Sequence, residues 1–115
     1  MRIIKKNKTF KVKNNKINKT GNIILKNNEL VSFIEDKKKN EYDIVKKNWG
    51  YYISSSINKR LQSNNFKIAL IKNEQEKFFL CAVDSYKLDV FKKYLKKDNQ
   101  KIVKWFNKNF LLSLI

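Results

Sequence analysis

Phe66-Lys67-Ile68-Ala69-Leu70-Ile71 and Phe78-Phe79-Leu80-Cys81-Ala82-Val83 are two apolar runs flanking the polar link Asn73-Glu74-Gln75-Glu76-Lys77. Short runs rich in aromatic and branched aliphatic residues, bounded by polar ones, read as strands, and a link of this length joins them as an antiparallel hairpin. The second run is apolar at every position. A strand with no polar face is expected at the centre of a sheet, covered on both sides. This hairpin sets the expectation for the rest of the chain: a mainly antiparallel sheet, with other elements added around it.

Upstream, Ile23-Ile24-Leu25 and Leu30-Val31-Ser32-Phe33-Ile34 are further β-rich runs. They are joined by Lys26-Asn27-Asn28-Glu29, where Asn tolerates a positive φ. After a charged link over residues 35–40, Tyr42-Asp43-Ile44-Val45 reads as another strand. Trp49-Gly50-Tyr51-Tyr52-Ile53 continues or follows it, with Gly50 marking a bend or bulge. Ser54-Ser55-Ser56 ahead of Ile57 and Leu61 signals a short capped helix, closed by Asn64-Asn65. Downstream, Asp84 or Ser85 caps a helix with Leu88, Phe91 and Leu95 on one face, ended by Asp98-Asn99. Ile102, Val103, Phe106 and Phe110 recur at helical spacing and predict a third helix. The fold class is therefore α+β: a small, mainly antiparallel sheet of about five strands with two to three helices packed on one face. Residues 1–20 form a basic arm or weak edge strand, and residues 21–115 a single domain.

The 115 residues carry 27 Lys and Arg against 10 Asp and Glu, a formal charge of +17. Such an excess repels itself and calls for a polyanionic partner, nucleic acid first and an anionic membrane surface second. Residues 1–20 hold eight of the cations (Arg2, Lys5, Lys6, Lys8, Lys11, Lys13, Lys16 and Lys19) and no acid. A second source of the excess is coding bias. Of the 27 cations 25 are Lys, and the chain has 16 Asn and 13 Ile but only 2 Gly and no Pro, the pattern of an AT-rich genome. That bias explains the Lys count better than it explains the shortage of acids.

Residues 46–60 are the first candidate contact region: Lys46, Lys47, Lys59 and Arg60 bracket Trp49, Tyr51 and Tyr52. Cations for phosphate and aromatic faces for bases are the combination that holds single strands. The three serines are additional phosphate donors at a helix start. Strand alternation puts Tyr51 and Tyr52 on opposite faces, so only one of them can share a face with Trp49. The second candidate is Lys92, Lys93, Lys96 and Lys97, one stripe of a helix able to follow a phosphate backbone, although a Lys-rich outer face is also the ordinary state of an amphipathic helix. With only Arg2 and Arg60 available, bidentate reading of guanine is poorly provided for. Neither region has an RRM, KH or zinc-finger pattern. The expected function is a non-enzymatic nucleic-acid binder for RNA or single strands, non-specific or shape-based. The alternative is a protein-interaction or assembly module, with Phe110, Leu111, Leu112, Leu114 and Ile115 as the interface of a homodimer or hetero-partner.

Chemistry has few groups to work with. The chain has no His and one Cys, which removes imidazole bases and Cys/His zinc sites. Cys81 sits in a run expected to be buried, where a thiol is inert. Gly21 and Gly50 cannot make a Gly-rich phosphate loop. No catalytic residue, cofactor or metal is expected. No apolar run reaches the roughly 18–20 residues of a membrane span, and the single Cys fits a reducing cytoplasm.

Overall fold

The computed structural model describes residues 1–35, 41–63 and 65–115. Among these, strands and helices are mixed and the strands form small antiparallel sheets. There are three separate sheets rather than one of about five strands. The chain divides into two compact units: Met1–Ser32 with Asp43–Ser54, and Phe33–Tyr42 with Ser55–Ile115.

In the first unit, β1 (Arg2–Val12) and β2 (Asn15–Ile24) pair antiparallel as a two-stranded ribbon. Lys13 takes φ 54° in the two-residue link, the left-handed region that a tight hairpin demands. The ladder shifts register between Lys5 and Lys8. Gly21, opposite Lys5, tolerates the tight approach there: a Cβ on it would lie 2.2 Å from the Ile4 carbonyl oxygen. The turn after β2 is pinned by Glu29, whose carboxylate accepts from the Lys26 N–H at 2.6 Å and from the Met1 ammonium at 2.7 Å. The ammonium, with the Lys26 N–H, holds that carboxyl below its ordinary range. Asn28 sits at φ 68°, the role its residue type suggests.

The second sheet has the order β3 (Leu30–Ile34), β4 (Glu41–Lys47), β5 (Gly50–Ile53), and the boundary between the units falls within β3 and β4. The link Asn48-Trp49 turns β4 into β5, and Gly50, at φ 144°, pairs with Lys47. Val45 and Asp43 are buried, and Asp43 accepts a hydrogen bond from the Ser32 hydroxyl.

The second unit is built on the expected hairpin, β6 (Phe66–Lys72) with β7 (Phe78–Asp84). Alternation along β6 gives it two apolar faces. Ala69 and Ile71 point with Val83 into a cluster closed by Leu95 of α2 (Leu88–Lys97). Phe66 and Ile68 point the other way, onto Leu61 of α1 (Arg60–Ser63), with Tyr42, Ile57 and Phe106 around them. Helical residues thus pack on both faces of this sheet, not one. Ser56 caps α1, accepting from the Arg60 N–H at 3.0 Å, and Asn65 closes it at φ 65°. Asp84 caps a 3-10 turn over Ser85–Lys87 that leads into α2, and Asn99 at φ 55° ends the helix.

Two expectations are corrected. Residues 101–105 are a strand, β8 (Lys101–Trp105), not the start of a helix. The left-handed Asn99 reverses the chain, so the β-branched pair Ile102-Val103 lands beside β6 with Ile102 opposite Ile71. Only α3 (Lys108–Ser113), capped by Asn107, is helical beyond it. The sheet order is β7-β6-β8, so β6 is central and the all-apolar β7 lies at an edge. Its Phe78, Phe79 and Leu80 are exposed.

Candidate nucleic-acid interface

The β1–β2 ribbon concentrates positive charge in a way that pairing makes severe. Lys8 lies directly opposite Lys19, and Lys11 directly opposite Lys16. Side chains opposite each other on a ladder are about 5 Å apart at Cβ, where like charges are destabilising. The ribbon has no acid of its own to offset them. Thr9 faces Asn18 and Phe10 faces Ile17 on the two rungs between these pairs, and the side chains along both strands are almost all exposed. The ribbon presents cations with intervening apolar side chains, and its own strands contain no acid to offset them.

The β4–β5 hairpin, in the same unit, carries five of the residues singled out from sequence. Trp49 is 66% exposed and stacks on Tyr52 with ring centroids 5.8 Å apart and planes 13° from parallel. Tyr51 lies on the opposite face, as alternation requires, with the Lys46 ammonium 5.1 Å from its ring centre. Lys46 Nζ also donates to the Lys47 carbonyl, and Lys47 Nζ donates to the Asn28 side-chain oxygen. These two partners are neutral, so they orient the ammonium groups without cancelling their charge. One face therefore offers the Tyr51 ring beside the Lys46 ammonium, and the other the stacked Trp49 and Tyr52 rings.

The other predicted contacts belong to the second unit. Lys59 and Arg60 are exposed, and Arg60 pairs with Glu41 at 3.3 Å, an exposed ion pair of small energetic weight. Of the neighbouring serines, Ser55 is buried, and the Ser56 hydroxyl accepts from the Arg60 N–H. The four-residue α1 is also too short to offer a helix-terminus anion site. Lys92, Lys93, Lys96 and Lys97 are all exposed on α2. Lys92 joins Lys67 and Lys108 around a concavity of about 460 Å³, together with the carboxamides of Asn58, Gln62 and Asn107. No carboxylate among the described residues lines it.

At the C-terminus, Phe110 and Leu111 are half-buried, and Phe110 stacks on Phe106 with centroids 5.3 Å apart. Lys104 Nζ lies 5.0 Å from the centre of the Phe110 ring. Leu112, Leu114 and Ile115 are exposed. Cys81 is half-buried in β7, and burial pushes its thiol up from the ordinary value, away from the reactive thiolate.

The ribbon is the feature that sequence reading missed. Its signal was present: Phe10 and Val12 alternate with Lys11 and Lys13, and Ile17 follows a two-residue polar turn. Residues 1–20 read instead as a basic arm or weak edge strand. No protein-family model matches the chain, and no curated protein or solved structure is similar to it.

Proposed function

We propose that this protein is a non-enzymatic binder of nucleic acid, RNA or single strands, engaged through the first unit. The observation that carries this reading is the placement of Lys8 opposite Lys19 and Lys11 opposite Lys16 in a ribbon whose strands contain no acid. Two such rungs weaken the free ribbon, and phosphates laid along it convert that repulsion into binding energy through counterion release. Trp49, Tyr52 and Tyr51 supply the stacking surface, each stacked base contributing about 1–3 kcal/mol. The scarcity of Arg and the absence of a base-reading pattern favour contacts to backbone and ring faces over sequence readout.

The test is a titration of random single-stranded RNA and DNA at a series of salt concentrations. Affinity falls steeply with salt, and replacing Lys8 and Lys19 with Ser lowers the slope of log K against log salt by roughly 1.4, about 0.7 for each lost phosphate contact on a single strand. Trp49→Ala abolishes the larger part of the fluorescence quenching, because Trp105 lies in the other unit. Salt-independent binding, or none, removes the reading. The exposed Leu112, Leu114 and Ile115 favour a second reading, an assembly module using the C-terminal helix, with the basicity due to coding bias.

A further inference from the structure

Strand β8 stops pairing with β6 at Trp105 opposite Ala69, although β6 begins at Phe66. The Phe106 N–H donates to the Ile68 carbonyl at 2.9 Å, and the chain then leaves the sheet for α3. The start of β6 thus extends past the end of its neighbour, and the concavity of about 460 Å³ opens at that step. Leu88 and Lys92 of α2 also line it, as do Asn58 and Gln62 from the stretch around α1. All of its lining residues fall between 57 and 109, within the second unit, so the first unit contributes nothing to it.

Three kinds of group meet in this concavity. The first is cationic: Lys67, Lys92 and Lys108 come from β6, α2 and α3. Among the described residues no ion pair joins any of them to an acid, and Asp89, one turn before Lys92, does not line the concavity. The second is the carboxamide: Asn58, Gln62 and Asn109 each carry donors beside an acceptor. Asn107 has its oxygen engaged by the Phe110 N–H, which leaves its amide hydrogens as donors. The third is apolar: buried Phe66 and Ile68, with half-buried Trp105 and Phe106. The volume lies in the range of roughly 300–1,000 Å³ that small-molecule sites occupy.

We infer that this concavity binds a nucleoside phosphomonoester, either a free nucleotide or the phosphorylated end of a strand. The phosphate lies among the three lysines, and the base lies against the apolar side chains within reach of the carboxamides. Charge selects the anion. A phosphomonoester brings about −1.5 to −2 at neutral pH, which suits several point charges converging from separate elements. A carboxylate brings less, and it is best held by the planar fork of Arg, which this concavity lacks. The remaining groups select the body of the ligand. An inorganic anion makes no use of the aromatic residues, and a purely apolar molecule makes none of the lysines. Side-chain amides match the paired donor and acceptor on a base edge.

Trp49→Phe leaves Trp105 as the only indole of the full chain, so its emission reports on this site alone. AMP, adenosine and inorganic phosphate are titrated in about 0.15 M salt, where the screening length is about 8 Å. AMP produces a saturable change, and adenosine and phosphate each bind at least about tenfold more weakly. Lys67→Gln with Lys92→Gln weakens AMP binding at least about tenfold. Lys77→Gln with Lys101→Gln, which removes the same charge elsewhere, leaves it within about twofold. A 5′-phosphorylated RNA trinucleotide that binds more tightly than AMP assigns the site to strand ends; AMP as tight or tighter assigns it to the free nucleotide. If the Lys67/Lys92 variant fails to fold, acetylation of the Trp49→Phe chain decides: AMP protects Lys67, Lys92 and Lys108 but not Lys77. The inference is overturned by the absence of a saturable AMP response, or by adenosine or phosphate binding as tightly as AMP. It is equally overturned if both lysine pairs reduce AMP affinity alike.

Discussion

Under the proposed function, Lys19 is the position where stability and binding pull in opposite directions. Opposite Lys8 it costs the ribbon energy, so Lys19→Glu should stabilise the free protein, by about 0.2–1 kcal/mol on the scale of cross-strand pairs. The same change should weaken RNA binding, because it removes one phosphate contact and adds a repelling charge. Thermal melts and a binding isotherm on one preparation check both signs; if Lys19→Glu leaves affinity untouched, the cation serves no ligand. Gly21 works through shape. A methyl there meets the Ile4 carbonyl oxygen at 2.2 Å, and a backbone atom cannot swing away as a side chain would. Gly21→Ala should therefore disrupt the β1–β2 pairing, seen as loss of amide protection over residues 2–24, while the β6 amides stay protected. The Trp49, Tyr51 and Tyr52 faces were legible from sequence because alternation is a local property. The need for glycine at residue 21 was not, since the atom it avoids belongs to a strand 17 positions earlier.

Among the elements, the β6–β7 hairpin, the Ser56 cap and the stop at Asn99 were readable, each being encoded within a few residues, whereas Asp84 caps the 3-10 turn ahead of α2 and not α2 itself. β8 was not. Ile102, Val103, Phe106 and Phe110 fit a helical face, and only pairing with β6 selects the extended form for the first two. The place of β7 escaped for the related reason that composition reports how apolar a strand is, not which strands pair with it. The C-terminal residues separate by the same measure of cover. Deleting residues 112–115 removes side chains that are already solvated and should change stability by no more than about 0.5 kcal/mol. Phe110→Ala removes the stack on Phe106 and the ring beneath Lys104, and should cost about 1–3 kcal/mol. Urea unfolding of the two variants distinguishes these outcomes, and equal losses would mean that the last residues are covered in solution.

For the molecule as a whole, a charge of +17 makes stability a function of the ionic medium. The melting midpoint should rise as salt is added, because screening relieves repulsion between the many lysines. A single-stranded RNA present at about 100 times its dissociation constant should stabilise the RNA-binding state by about 2.7 kcal/mol in low salt, and by much less in high salt. Failure of both trends in a melting series would place the excess charge outside the protein's energetics. Which strands share a sheet was the least legible feature, because sheet membership is fixed by pairing between distant segments that no local pattern records. The solvated β1–β2 ribbon has one more consequence, for digestion. With so little apolar surface buried, its hydrogen bonds open at small free-energy cost, and every opening presents an extended lysine-rich strand to trypsin. Early tryptic cuts should fall within residues 2–24, and a bound polyanion should suppress them, which makes the digestion pattern a direct footprint of occupancy.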